Sequence, residues 1–282
     1  MSIETRALAG GTGLQVLGVN LSHALKEDVK EAIRDALFNH CALVFRDQDL
    51  QPAEQVRFTQ LFGEAQPHPL NPRPTVAGMP EVLLIQNRPG KRGARNDYWH
   101  SDISHAARPP AVSILHAREV PVSRGDTMVC NMYAAWEKLS PGMRRMLGTM
   151  RAEHSGEASA RRNQVEADTD GLQITNVPAP NVHPVARTHP HSGRVALFIN
   201  PHFTTRFEDM TREESLPLMN FLTRHAAQPE NIYRHSWAVG DVLLWDNRCA
   251  MHYAVRDYDE NMPRLIHRTT AAGEAPIHGG LA

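Results

Sequence analysis

One four-residue segment, Trp99–His100–Ser101–Asp102, places an imidazole and a carboxylate two positions apart. In an extended backbone such side chains point to the same face, so His100 and Asp102 would be two adjacent metal ligands. His252 is the candidate for a third. Two histidines and one carboxylate that leave three coordination positions open suit the oxygen chemistry of non-haem Fe(II). Each feature alone is weak, because the chain has 16 histidines and a surface His/Asp pair or a structural histidine is the commoner meaning of either.

Two arginines follow His252 in the run PRLIHR at 263–268. If this run is a strand, Arg264 and Arg268 share one face and lie about 13 Å apart along it. If that face points inward, both charges need anionic partners, because an unpaired buried charge is too costly to keep. Two inward arginines near a metal therefore predict two anionic ligands, each held by a guanidinium fork. The alternative is an edge strand with both arginines in solvent.

The apolar periodicity predicts a mainly β protein with flanking helices. Thr211 and Glu214 form a capping box at the start of one helix, whereas Pro217 argues against one unbroken helix there. Many short strands separated by turns predict a sandwich or jelly roll decorated by helices. Strands are expected at 14–21, 41–45, 82–85, 111–117, 127–132, 182–188, 196–199, 233–239, 242–245 and 265–270, and helices at 26–40, 52–62, 133–139, 143–150 and 211–227.

The segment 155–180 differs from the rest of the chain. It is rich in polar residues, contains no aromatic residue and has little periodicity. We interpret it as a long surface excursion, either a mobile lid or an insertion without a role. The rest of the sequence contains no linker or internal repeat, so residues 1–282 are expected to form a single domain.

Composition limits the class of partner. The 30 basic residues nearly balance the 31 acidic ones, so no basic face for nucleic acid is expected. Cys41, Cys130 and Cys249 are scattered, which favours reduced thiols over a disulfide framework. The sequence has neither a signal-peptide pattern nor the roughly 20 apolar residues of a membrane span. We expect a cytoplasmic enzyme, a homo-oligomer, that acts on a small anionic organic substrate without binding a membrane.

Five motifs resemble, in content and order, those of the taurine dioxygenases and their aryloxyacetate-cleaving relatives: WHSD, GDTMVCNMYAAWEKLS, HPVARTHPHSGRVALFIN, WDNRCAMHYAVRDY and RLIHRTT. The resemblance covers roughly residues 18–273. It implies a double-stranded β-helix, or jelly roll, and an enzyme that uses Fe(II), 2-oxoglutarate as co-substrate and O2.

The resemblance also implies a role for individual residues. The iron ligands would be His100, Asp102 and His252. The distal carboxylate of 2-oxoglutarate would be held by Thr127 and Arg264, and the primary substrate by His68, Asn96 and Arg268. Trp245 is expected to pack and Asp246–Asn247 to fix the turn before His252, while packing is favoured over contact with ligands for Asn200 and Phe203.

Two departures from the family pattern concern the tail of the substrate. Asn71 falls near the position where taurine dioxygenases carry an aromatic residue, and the 155–180 excursion lacks the aromatic that those enzymes pack over taurine. The expected substrate is an alkyl sulfonate of the taurine type. The alternatives are a bulkier acid, such as an aryloxyalkanoate, an alkyl sulfate or an amino-acid derivative, or a non-catalytic jelly-roll protein that binds an acid.

Overall fold

The structure is a computed structural model that describes residues 3–67, 74–87, 96–160, 179–259 and 261–278. Its strands are β1 (Glu4–Ala7), β2 (Leu14–Leu17), β3 (Ala42–Phe45), β4 (Thr75–Val76), β5 (Met79–Asn87), β6 (Val112–Glu119), β7 (Thr127–Asn131), β8 (Arg151–His154), β9 (Asn181–Pro184), β10 (Ala186–Thr188), β11 (Val195–Leu197), β12 (Thr204–Phe207), β13 (Ile232–His235), β14 (Val242–Asp246), β15 (Ala250–Ala254), β16 (Arg264–Ala271) and β17 (Ile277–His278). The helices that matter here are α1 (Glu27–His40), α2 (Pro52–Thr59), α3 (Met132–Glu137), α4 (Pro141–Leu147) and α5 (Arg212–Ala226).

One large sheet organises the molecule. Its eight strands follow the order β1-β2-β3-β14-β6-β16-β5-β4, and all neighbours are antiparallel except β2 and β3. A three-stranded antiparallel sheet, β13-β7-β15, packs against the large sheet, with which it shares an apolar core. Two further three-stranded sheets, β12-β8-β9 and β11-β10-β17, complete the strand architecture of the described residues. The expected mainly β fold with flanking helices is therefore present.

The period-two pattern of the central strands separates two apolar cores. In β3, Leu43 and Phe45 belong to one core, whereas Ala42 and Val44 belong to the other. The first core is covered by α1 and α2, whose buried side chains include Ile33 and Phe58. Because both faces are covered, β3 is buried at every position, and an apolar run without alternation is the sequence pattern that results.

Three predicted elements need correction. The expected strand at 14–21 ends at Leu17, because Gly18 has a φ of 68° and leaves the extended region. The expected strand at 182–188 is divided at Val185 into β9 and β10, which join different sheets. Helix α5 runs unbroken through Pro217, and the capping box between Thr211 and Glu214 is present at its start.

Candidate active site

Three ligand groups converge between the large sheet and the β13-β7-β15 sheet. His100, Asp102 and His252 are all buried, and their ligand atoms lie within 4.8 Å of one another. Oδ1 of Asp102 is 3.9 Å from Nε2 of His100 and 3.7 Å from Nε2 of His252. Among the described residues this is the one cluster of histidine, cysteine or acidic side chains with such a spacing. The geometry therefore brings together the three residues that the sequence proposed as metal ligands.

The backbone brings these groups together by a route that the sequence did not predict. His100 forms an isolated antiparallel bridge with His252 in β15, through N–H to C=O hydrogen bonds of 3.0 and 2.8 Å. Asp102 lies in the turn that follows, not in a strand. The assumption of an extended His100–Asp102 segment was therefore wrong, although the two side chains do meet. A single bridge followed by a turn replaces the regular strand alternation.

A hydrogen bond and an ion pair fix the orientation of the Asp102 carboxylate. Its Oδ2 atom accepts a 2.6 Å hydrogen bond from the Ser113 hydroxyl in β6 and forms an ion pair with Nη2 of Arg268 in β16, at 2.8 Å. Oδ1 is left facing the two histidines. Burial alone raises the pKa of Asp102, but the charge of the Arg268 guanidinium, with the hydrogen bond from Ser113, outweighs it and holds that pKa well below its usual range. The carboxylate is thus a permanent anion with one oxygen available to a cation.

The two histidine rings have different surroundings. Nδ1 of His100 lies 2.9 Å from the Tyr98 carbonyl, and a proton donated there leaves Nε2 as the ligand atom. The His252 ring lies against Trp245, with 4.2 Å between centroids, and its Nδ1 has no hydrogen-bond partner among the described residues. Burial, followed by the nearby His100, lowers the pKa of His252 well below its usual value. His252 is therefore neutral, which is the form that binds metal.

Arg264 is the first residue of β16 and lies in the protein interior. Arg264 is buried, its Nε has no hydrogen-bond partner, and no carboxylate of the described residues pairs with it. Burial lowers the pKa of this guanidinium, and its nearest aromatic neighbour is Tyr258, with Cζ 5.8 Å from the ring centroid. A Cβ on Gly125 would lie 3.4 Å from Nε of Arg264, so the segment leading to Thr127 runs beside the arginine.

Thr127 is buried at the start of β7 and its Oγ1 accepts a 3.1 Å hydrogen bond from the Trp237 indole. A buried cation without an acid partner is costly, so Arg264, which has no such partner among the described residues, is suited to bind an anionic group. The inference from the sequence that Arg264 points inward is supported by this burial.

The expected substrate contacts are only partly described. Arg268 is buried and forms an ion pair with Asp102, yet its Nε has no hydrogen-bond partner. Asn96 is half-buried; its carbonyl accepts from Ala254 of β15, and its Oδ1 accepts a weak 3.4 Å bond from Tyr98. His68, Asn71 and most of the 155–180 excursion lie outside the described residues.

Several residues at this site were missed or underrated by the sequence analysis. Ser113 lies in an apolar strand pattern and gave no signal of its own, yet it contacts Asp102 directly. Asn247, expected only to fix a turn, accepts hydrogen bonds from the Asp102 amide and the Trp245 indole. His202 stacks on Tyr98 with 3.8 Å between centroids, 6.2 Å from the His100 ring.

The expected packing residues are confirmed as buried. Trp245 lies in the core against His252, and Asn200 bonds Ser104 and the Phe203 amide. Asp246 receives two hydrogen bonds from the Arg248 side chain, at 2.8 and 2.6 Å, in an interior network that also includes His189. This network anchors the turn that precedes β15 and therefore the position of His252.

Comparison with known proteins identifies the family. The model of the taurine catabolism dioxygenase TauD, TfdA family matches residues 4–270. The chain belongs to this family. It is 35% identical to an alpha-ketoglutarate-dependent sulfate ester dioxygenase of Pseudomonas putida, over 98% of this chain and 92% of the relative. It is 34% identical to an alpha-ketoglutarate-dependent 2,4-dichlorophenoxyacetate dioxygenase of Cupriavidus pinatubonensis, over 98% of this chain and all of the relative.

The fold agrees with this assignment. The structure superposes on the crystal structure of a taurine dioxygenase from Burkholderia xenovorans with a TM-score of 0.83 and 31% identity, over 99% of this chain and 92% of the other. The expected jelly roll, the family and the enzyme class, a dioxygenase dependent on 2-oxoglutarate (alpha-ketoglutarate), are thereby confirmed. No helix in the described part of the chain is long and apolar enough to cross a lipid bilayer.

The donor set fits the cofactors that this family implies. Two imidazoles and one carboxylate, all buried, match the ligand set of non-haem Fe(II) oxygenases. The unpartnered Nε atoms of Arg264 and Arg268 supply two buried cationic donors nearby. Membership of the family implies 2-oxoglutarate and O2 as co-substrates.

Proposed function

We propose that this protein is an Fe(II)- and 2-oxoglutarate-dependent dioxygenase that hydroxylates a small organic anion, an alkyl sulfate ester or an alkyl sulfonate. The observation that carries the proposal is the buried His100, Asp102 and His252 cluster, accompanied by two inward arginines. A non-catalytic acid-binding protein would need one such arginine, not two. Residues 1–282 would form the catalytic domain, while homo-oligomerisation and a cytoplasmic location stay predictions.

The three ligands would hold iron, with His100 and His252 bound as neutral rings and Asp102 through Oδ1. When bound, iron(II) together with 2-oxoglutarate and O2 supplies the oxidant that converts a substrate C–H bond to C–OH, with release of succinate and CO2. The protein contributes ligand orientation, burial and the exclusion of water from a site between two sheets.

Arg264 and Thr127 would bind the distal carboxylate of 2-oxoglutarate. A flexible diacid fixed at this end loses its freedom to rotate, which orients its other end toward the metal ligands. The orphaned Nε of Arg264 supports this role, because a carboxylate would satisfy it and would neutralise the buried charge.

Arg268 would bind the acid group of the primary substrate, with Asn96 and His68 as further contacts. Its Nε atom is free of protein partners in the described structure while Nη2 is held by Asp102. An anion at Nε would lie next to the metal ligand, so the substrate carbon closest to the acid group would be the one presented for oxidation. The position of attack would follow from this placement and not from C–H bond strength.

The sulfur-containing class is favoured by the relatives. The Pseudomonas putida relative is named for sulfate esters and the family model for taurine catabolism. Both substrates would offer Arg268 an anionic –SO3⁻ group, which is joined to a carbon with C–H bonds directly in a sulfonate and through the ester oxygen in a sulfate ester. Hydroxylation of that carbon gives a product that collapses to an aldehyde, with release of sulfate from an ester or sulfite from a sulfonate.

A second candidate is an aryloxyalkanoate, favoured by the 34% identity to the 2,4-dichlorophenoxyacetate enzyme. Its carboxylate would also suit Arg268, and hydroxylation beside the ether oxygen would release a phenol. The aromatic pair Tyr98 and His202, which lies beside His100, offers a flat surface for a ring.

A substrate panel tests the proposal. Anaerobic enzyme with Fe(II) and 2-oxoglutarate is titrated with hexyl sulfate, taurine and phenoxyacetate, and the change in the metal's charge-transfer absorption is measured. Succinate is then quantified aerobically, with hexanol as the matched neutral control. We expect one anion to perturb the band and to stimulate succinate formation, while hexanol does neither. Absence of a band with Fe(II) and 2-oxoglutarate would contradict the proposed function.

A further inference from the structure

A single serine joins the metal carboxylate to the arginine that we assign to the substrate. Ser113 is fully buried in β6. Its hydroxyl donates a 2.6 Å bond to Oδ2 of Asp102, and it accepts from Nδ2 of Asn247 at 3.0 Å and from Nη2 of Arg268 at 3.2 Å. One donated and two accepted bonds use the whole capacity of a hydroxyl group. The direction of each bond is therefore fixed.

Asn247 extends the same network. Its Oδ1 accepts from the Trp245 indole at 3.0 Å and from the Asp102 amide at 3.3 Å, so its Nδ2 must point to Ser113. The amide is locked on both sides, and its orientation follows from its donors. Asn247 thus forces the Ser113 proton toward Asp102.

Two side chains contact the same oxygen of the Asp102 carboxylate. Ser113 and Arg268 both bind Oδ2, while Oδ1 faces the histidines. These two side chains differ, because Arg268 also has an unpartnered Nε and is the residue assigned to the substrate anion. An anion that draws the guanidinium away would weaken its bond to Asp102. The Ser113 bond would remain.

We infer that Ser113 is a positioning residue that keeps Asp102 bound through one oxygen when a substrate anion engages Arg268, and that Asn247 sets its donor direction. The inference rests on the proposed function for the role of Arg268. Without the Ser113 hydroxyl, binding of the anion to Arg268 would leave Oδ2 of Asp102 without a partner, and the affinity for the metal would fall. By linkage, the bound metal would lower the affinity for the anion by the same factor.

Metal affinity measured without turnover tests this inference. Apo protein is titrated with Mn(II), with free Mn(II) followed by electron paramagnetic resonance, in the absence and in the presence of hexyl sulfate. Ser113→Ala is compared with the parent and with Ser215→Ala, which removes another buried hydroxyl whose hydrogen bonds are to the backbone of Phe207 and Thr211. Ser113→Cys fills similar space with a weaker donor and serves where the alanine variant does not fold.

We expect Ser113→Ala to bind Mn(II) about 10-fold more weakly than the parent, and Ser215→Ala to match the parent. Hexyl sulfate should weaken Mn(II) binding further in Ser113→Ala but not in the parent, and Ser113→Cys should lie between them. Equal Mn(II) affinity in Ser113→Ala and the parent would overturn the positioning role. An equal loss with and without hexyl sulfate would overturn the coupling to Arg268. A parent that binds no Mn(II) would instead contradict the proposed function.

Discussion

Replacing Arg264 by methionine tests how this buried arginine differs from Arg248, a second buried arginine. Arg264 is 7% exposed and has no acid partner among the described residues. Arg248 is 2% exposed and bonds Asp246 twice, with Glu274 at 3.5 Å. Burial lowers the pKa of both guanidinium groups, but Asp246 reverses this at Arg248 and raises its pKa above the usual value. Arg248→Met is therefore the matched control.

The two substitutions should change the stability of the apo protein in opposite directions. Arg248→Met leaves the buried Asp246 without its main partner, which should cost about 3–5 kcal/mol of unfolding free energy. Arg264→Met removes a buried charge that has no acid partner in the described part of the chain, so the unfolding free energy should rise, on the order of 1 kcal/mol. In a chain of this size that corresponds to a rise in Tm of about 2–4 °C.

Although Arg264→Met should stabilise the apo protein, it should weaken the binding of 2-oxoglutarate. Loss of a charge-assisted fork to a desolvated carboxylate is worth about 2–5 kcal/mol, which corresponds to roughly 30-fold to 4,000-fold weaker binding of 2-oxoglutarate. At 100 times its Kd, 2-oxoglutarate should stabilise the metal-loaded parent by about 2.7 kcal/mol. Arg264→Met should lose that stabilisation while its apo form melts no lower than the parent.

Differential scanning calorimetry with Mn(II), with and without 2-oxoglutarate, measures both effects, and the anaerobic Fe(II) charge-transfer band reports the affinity independently. A large fall in apo stability for Arg264→Met, similar to that of Arg248→Met, would show that Arg264 has an acid partner. Unchanged 2-oxoglutarate affinity would show that this arginine does not hold the co-substrate.

Three further outcomes are expected. Alanine at any one of His100, Asp102 and His252 should abolish Mn(II) binding, measured by isothermal titration, and 2-oxoglutarate turnover, measured as succinate formation. Circular dichroism should show that the fold is kept. Normal turnover in one variant would show that its residue is not a metal ligand. Arg268→Ala should retain 2-oxoglutarate binding but lose substrate-stimulated succinate formation, and Arg268→Lys should rescue it poorly because an ammonium lacks the planar fork. Burial, with a contribution from His183, lowers the pKa of His105 to about 4. As the pH falls, His105 is therefore protonated in the unfolded chain at a higher pH than in the folded protein. The contribution of His105 to the free energy of unfolding is complete above about pH 6.5 and falls toward pH 4, by up to about 1.4 kcal/mol per pH unit. His105→Gln should flatten that slope in urea unfolding, and an unchanged slope would contradict the assignment.

The sequence was sufficient to select the three side chains that the structure clusters, His100, Asp102 and His252, and the two buried arginines of β16, because their types and order carry the chemistry. It was also sufficient for the central strands, where β3 and β14 are buried on both faces and consist of apolar runs. Residue types, however, do not reveal which backbone atoms pair. The bridge between His100 and His252 joins positions far apart in the chain, and a local rule such as side-chain alternation cannot predict it.

Ser113 shows a second limit of the sequence. A serine in the run AVSILHA reads as a tolerated small residue of a buried strand, because its pattern says only which face it occupies. Its role depends on three partners that arrive from elsewhere: Asp102 from a turn, Asn247 from the loop before β15, and Arg268 from β16. Polar networks of this kind are set by tertiary placement, so the sequence can suggest candidates but not connections.

The two arginines of β16 differ in a way that suggests an order of binding. Arg264 has an unpartnered Nε and no acid partner in the described structure, so a carboxylate bound there would neutralise a buried charge. Arg268 is already neutralised by Asp102, so an anion that binds it must compete with that pair. Binding at Arg264 should therefore be the more favourable first step, with the primary substrate following. If Asp102 binds the metal as proposed, a substrate anion at Arg268 would compete with that carboxylate, and the Ser113 hydroxyl is the group positioned to limit how far Asp102 moves.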